Sequence, residues 1–153
     1  MGMPDTSDSP RRVLVLIAAE CDGEHVVHEL SAHGHVHTGI RVIAPLVGSR
    51  LNHFLFGDEH SSRPAAEHRL SEAIDAFYRH GIEVTGGTGD SSPLQALEDE
   101  IVTFNPDELV IVLHPESDRE WFEKHLPEDA IAKFGLPLTV VDAIPVGVRE
   151  PAH

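Results

Sequence analysis

The side chains best suited to chemistry in this 153-residue sequence lie where apolar runs end. Leu113-His114-Pro115-Glu116-Ser117-Asp118-Arg119 leaves one such run. Here His114 can transfer a proton or ligate a metal, Arg119 can pair with an anionic group, and Ser117 can donate from a helix start. Ala18-Ala19-Glu20-Cys21-Asp22 leaves another and offers Glu20 as a carboxylate partner for His114 in a proton-transfer pair, while Pro45 and Leu46 end a third. The plain alternative is that Ser117 only caps, Arg119 only answers nearby acids, and His114-Pro115 merely ends a strand.

Other candidates carry less. His25, His28, His33, His35 and His37 form a dense stretch in which His25 and His28 can share a helix face. The sequence HELSAH misses the HExxH spacing by one residue, and a dedicated metal site needs convergent ligands, so no metal site is assigned. Gly86-Gly87-Thr88-Gly89 fits neither GxGxxG nor the Walker pattern and reads as a turn allowing positive φ, with Asp90 organising that turn or the next helix start. Cys21 is the only cysteine, which excludes an internal disulfide and any CxxC motif. It lies at a strand exit, where Glu20, Asp22 and Glu24 disfavour the thiolate, so it reads as inert. No Ser-His-Asp or Cys-His arrangement follows from position, and no catalytic residue is assigned.

These residues need elements to hold them. Val13 to Ala18 is a continuous apolar run and Ile40 to Ala44 and Glu108 to Leu113 are nearly all apolar, the pattern of strands covered on both faces in a parallel sheet. Ile82 to Thr85 and Pro137 to Val141 are shorter strand candidates. Helical spacing is clearest after Ser62, where Ala66, Leu70, Ala73, Ile74 and Phe77 recur before Gly81. A weaker helix runs from about Gly23 to His33. Ser92 with Gln95 is a capping-box pattern ahead of Leu94, Leu97, Ile101 and Phe104, and Ser117 with Glu120 is a second one ahead of Trp121, Phe122 and Leu126, with Pro127 restarting the helix and Gly135 ending it. Pro45 to Ser62 reads as a long loop whose Leu51 to Phe56 cluster serves as a lid or meets a second subunit. Strands alternating with helices predict a single doubly wound α/β domain over residues 11–143, with a lead-in at 1–10 and a tail at 144–153.

Composition narrows the function classes. The apolar fraction of 41% with charged residues at 24% is that of a globular chain, and no run approaches the roughly 20 residues of a bilayer span. With 11 basic against 26 acidic residues the formal charge is −15, a field that repels nucleic-acid phosphates and anionic lipid. The start lacks a secretory pattern, so a cytoplasmic protein is expected, with neither nucleic acid nor membrane as a partner.

The order of elements and the stretches GTGDSSPLQALEDEI, FNPDELVIVLHPES and KFGLPLTVVDA resemble a universal stress protein. In that family a Gly-Asp pair precedes a helix, then comes an Asp-Glu-Leu-Val-type strand and a last strand after a Pro-Leu step. Gly89-Asp90, His114-Pro115, Trp121 and Phe134-Gly135-Leu136-Pro137 are similar to a divergent bacterial branch. The resemblance covers roughly residues 12 to 142 and implies a Rossmann-like five-stranded parallel sheet of order 3-2-1-4-5 and a homodimer, often through the last strand. ATP-binding members carry Gly-x-x-Gly, nine residues, then Gly-Ser or Gly-Thr after the fourth strand. Here that place has no glycine before Gly135, Pro115 lacks an amide donor, and Glu116, Asp118 and Glu120 put negative charge where phosphate would sit. Such members also carry an aspartate after the first strand, for which Glu20 stands in here. ATP and AMP are therefore disfavoured and no cofactor is expected.

Ligands of open α/β sheets lie beyond the carboxyl ends of the strands where strand order reverses, here between the first and fourth strands. The residues expected to line that crevice are Ala19, Glu20, Pro45, Leu46, His114, Ser117 and Arg119. The expected function is small-ligand binding or regulation. The competing classes are an enzyme using Glu20 and His114, with or without a metal, and a dimeric interaction module without a ligand.

Overall fold

The computed structural model describes residues 11–32, 39–46, 62–119 and 123–144. Five strands form one parallel sheet: β1 (Arg12–Ile17), β2 (Gly39–Pro45), β3 (Val84–Gly89), β4 (Glu108–Leu113) and β5 (Leu138–Asp142). Their spatial order is β3-β2-β1-β4-β5, the expected arrangement. The helices are α1 (Gly23–Ala32), α2 (Ser62–Arg79), α3 (Pro93–Phe104) and α4 (Leu126–Phe134). No helix among the described residues is long and apolar enough to cross a membrane.

The continuous apolar runs are explained by burial on both sides. In β1, Val13, Val15 and Ile17 join Val26, Val27 and Leu30 of α1 and Ala73, Ala76 and Phe77 of α2 on one face. Leu14 and Leu16 join Ala96 and Leu97 of α3 and Leu126 and Ala130 of α4 on the other. Period-two alternation thus sends neighbouring residues to different cores, and neither face can be polar. The register Val15↔Val42 and Val15↔Val110 keeps the three central strands level, so their carboxyl ends share one edge.

Close approach tightens the first core. Gly23 opens α1 directly against α2, where an added Cβ would strike the carbonyl oxygen of Glu72 and the Ala76 Cβ. Beside it Glu24 takes Arg79 at 2.9 Å and His80 at 2.7 Å, tying α1 to the end of α2. Hydrogen bonding from His80 and then Arg79 holds the Glu24 carboxyl below the usual carboxylate range.

Two expectations are corrected. The glycine-rich stretch is not a positive-φ turn: it is the body of β3, which begins at Val84 and runs to Gly89, and none of Gly86, Gly87 and Gly89 has positive φ. An added Cβ at Gly86 would lie 2.7 Å from the Val42 oxygen and 2.9 Å from the Leu70 and Ile74 methyls, and one at Gly89 would lie 2.9 Å from Ala96 Cβ and Ile43 Cγ2. Glycine is there so that α2 and α3 can sit close to the edge strand. The second correction is that Ser117 does not open a helix. Glu116–Asp118 form a 3₁₀ turn entered from Pro115, and the next α-helix among the described residues is Leu126–Phe134, with Pro127 in its first turn and Gly135, φ 67°, as its C-cap. Trp121 and Phe122 lie outside the described residues, as do the Leu51 to Phe56 cluster and His33, His35 and His37.

Of the capping box expected at Ser92 and Gln95, the serine half is observed. Ser92 accepts the Gln95 amide hydrogen at 3.4 Å with Pro93 in the first turn, and Asp90 accepts the Ser92 amide hydrogen at 2.8 Å, organising the helix start. The Gln95 side chain donates to Asp99 at 2.8 Å, so the observed cap is made by the serine.

Candidate functional site

The carboxyl edge of the sheet divides into two halves. Ala18 donates to Val112 O at 3.0 Å and Ala143 donates to Leu113 O at 2.7 Å, which extends the strand pairing beyond β1 and β5. The chain leaving β5 then crosses to the turn after β1. Asp22 donates its amide hydrogen to Ile144 O, and Ile144 donates to Cys21 Sγ at 3.4 Å. The β1/β4 opening is therefore bordered by residues 143–144, with their polar groups satisfied by Leu113, Cys21 and Asp22.

On the β1/β2 side the central group is Arg69 of α2. Its side chain donates to Ile17 O at 3.3 Å and to Pro45 O at 2.7 Å, and the residue is only 6% exposed. Burial lowers the guanidinium pKa and the nearby Glu20 charge opposes that shift; arginine remains charged regardless. Glu20 itself pairs with His68 of α2 at 3.2 Å. Leu46 donates to Gly89 O and Asp90 O, closing the β2/β3 exit.

On the β4/β5 side the central group is His114. Its backbone N–H donates to Glu123 Oε1 at 2.9 Å and its ring Nδ1 lies 2.7 Å from Glu123 Oε2. Glu123 is 0% exposed, whereas the His114 side chain is 36% exposed. Arg119 donates from Nε to His114 O at 2.9 Å and its Nη2 is 3.6 Å from Asp142 Oδ1. Asp118 N–H turns back to Pro115 O at 2.8 Å. Arg119 and Glu123 thus both close on His114, whose Nε2 has no partner among the described residues.

Of the expected site residues, His114 and Arg119 are brought together, and Ser117 lies exposed on the same turn. Ala19 is buried in the first core. Glu20 faces His68, and the carboxylate on His114 is Glu123 instead. Pro45 and Leu46 are occupied through their backbone groups by Arg69 and the end of β3. A recess of about 420 Å³ is lined by His25, Glu29, Pro115 and the segment Val140 to Ile144, with His25 Nε2 3.0 Å from Asp142 O. The described residues contain no group of three or more His, Cys, Asp or Glu able to hold a metal ion.

Sequence reasoning missed Arg69 and Glu123. Arg69 was legible as a cation set into the Ala66, Leu70, Ala73 stripe, on the face that must be buried. Glu123 had no such mark, because its partner stands nine residues earlier across a turn.

The class these features define is an α/β, five-stranded parallel sheet of order 3-2-1-4-5 with the universal stress protein architecture. No family model matches the sequence and no curated protein matches it. Among solved structures, the chain is similar to a universal stress protein from Archaeoglobus fulgidus, 15% identical over 89% of this chain and 96% of that one, TM-score 0.61. It is also similar to a universal stress protein family protein from Arabidopsis thaliana with AMP bound, 13% identical over 88% and 93%, TM-score 0.60. A universal stress protein in complex with cAMP is 13% identical over 89% and 100%, TM-score 0.58. At these identities the likeness establishes the fold.

Proposed function

We propose that the protein is a small-ligand-binding or regulatory protein of the universal stress type that does not bind ATP in that fold's usual way. One observation carries this reading: two of the amides at the exit of β4 are already used and a third position there has no amide hydrogen. His114 N–H is held by Glu123, Asp118 N–H by Pro115 O, and Pro115 has none to give. A phosphate cradle requires such N–H groups to converge on the ligand. Here a buried carboxylate and the side chains of Glu116 and Asp118 stand around them.

A proton-transfer enzyme built on Glu20 and His114 is less well supported, since Glu20 engages His68. The proposal includes a cytoplasmic homodimer. The outer edge of β5, unpaired among the described residues, with Val140 exposed on it, supports the dimer.

Thermal unfolding with ATP, AMP and cAMP, each with Mg²⁺, tests the reading. A ligand at one hundred times its Kd stabilises by about 2.7 kcal/mol, and each kcal/mol is worth about 2–4 °C at this size. ATP is expected to leave the midpoint unchanged. A saturable rise of several degrees with ATP would overturn the proposal.

A further inference from the structure

We propose that His114 is a proton-accepting centre acting through Nε2, with Glu123 as the positioning residue, and that its ligand presents an O–H or N–H group on an uncharged or cationic small molecule. The assignment of the centre stands on geometry alone; the ligand class rests on the small-ligand reading above.

Each oxygen of Glu123 contacts His114, Oε1 its backbone N–H and Oε2 its ring Nδ1 at 2.7 Å. When ring and carboxyl share a single proton, it must lie in the Nδ1–Oε2 contact. The other tautomer would set a carboxylate lone pair against a bare nitrogen lone pair at that distance, at a carboxylate whose side chain is fully buried. Nε2 is therefore the nitrogen with the lone pair, and the next proton taken up goes there. The buried carboxylate also fixes the ring orientation. If the proton moves, the donor's O–H or N–H bond breaks, its electron pair stays on the donor atom, and Nε2–H forms.

The ligand class follows from the surrounding charge. Glu116, Asp118 and Asp142 stand on the turn and on β5, and the guanidinium of Arg119 already serves His114 O and Asp142. The recess of about 420 Å³ that Pro115 and Asp142 line has Glu29 and His25 on its α1 wall, and its size suits a small organic molecule. An anion would enter against this field.

Long-range ¹H–¹⁵N spectra of the histidine rings, followed by titration to the neutral form, read the tautomer directly. In the wild-type protein His114 is expected with Nδ1 protonated and Nε2 as the unprotonated nitrogen. Glu123→Gln offers one acceptor oxygen and one amide donor, so keeping the backbone contact turns the amide toward Nδ1 and should invert the pattern to Nε2–H. A protonated Nε2 in neutral wild-type His114 overturns the proposal whether or not the variant folds. An uninverted pattern in a folded Glu123→Gln protein would remove Glu123 from its positioning role. For the ligand class, 1,4-diaminobutane is expected to shift the His114 Nε2 resonance saturably and inorganic phosphate to leave it in place. No response to the diamine, or a response to phosphate, overturns that class. ATP-induced stabilisation would overturn the function proposed above while leaving the tautomer result standing.

Discussion

Cys21 and its acidic neighbours reach one outcome by a different cause from the one the sequence suggests. The thiol is pushed up to about 11, first by burial, with the Ile144 N–H working the other way and Asp22, Glu20 and Glu72 adding to the rise. The residue is buried in the first core rather than set on an open strand exit. Alkylation by iodoacetamide near neutral pH is therefore expected to be slow in the folded protein and to approach the rate of a free thiol in denaturant. The linkage has a definite sign. The folded value lies above the ordinary 9.0, so ionisation opposes folding; this contribution is intact below about pH 9 and is lost as pH rises through about 11. Urea unfolding of the wild type and of Cys21→Ala across that window should show the steeper alkaline loss in the wild type. Equal slopes, or rapid native-state alkylation, would mean the thiol is accessible.

Elements differ in how far the sequence reveals them, and β3 shows why. The central strands β1, β2 and β4 are legible because burial on both faces favours apolar residues, and nearly continuous runs result, interrupted by Arg41 within β2 and begun by Glu108 in β4. Half of β3 is glycine, at positions 86, 87 and 89, so no apolar alternation marks it, and its extended conformation is dictated by what packs on it. The first helix after Ser62 and the cap at Ser92 follow local rules and are legible for that reason. The turn after β4 depends on Glu123 reaching back to His114, a contact no local pattern encodes. The strand assignment of the glycines can be tested within the motif. Ala at position 86 would meet the Val42 oxygen and two methyls, whereas Ala at 87 would meet only Arg41 Nη2 at 3.5 Å. Gly86→Ala should lower stability by about 1–3 kcal/mol through overpacking, and Gly87→Ala should change it by less than about 0.5 kcal/mol. A positive-φ turn would make both substitutions costly, so comparable losses in the two urea midpoints would refute the strand.

At the scale of the whole molecule the dominant quantity is charge. With 26 acidic and 11 basic residues, fifteen carboxylates would stay uncompensated even if every lysine and arginine were paired. The pairs that do form on the surface, such as Lys133 with Glu98 at 3.3 Å and Arg79 with Glu24 at 2.9 Å, are exposed and individually worth about 0–1 kcal/mol. Salt weakens these attractions and the general repulsion alike, and the excess of acids decides which change is larger. Because the screening length falls from about 30 Å at 0.01 M to about 8 Å at 0.15 M, repulsion between acids spread over the surface is removed across that range while contacts at 3 Å are affected less. The thermal midpoint should therefore rise with sodium chloride between these concentrations, by an amount on the order of a few degrees. A midpoint that falls over the same range would show that local pairs outweigh the net field. That result would also remove the long-range part of the argument against anionic ligands, because the field that loosens the fold at low salt is the one a triphosphate must cross to reach the edge of the sheet.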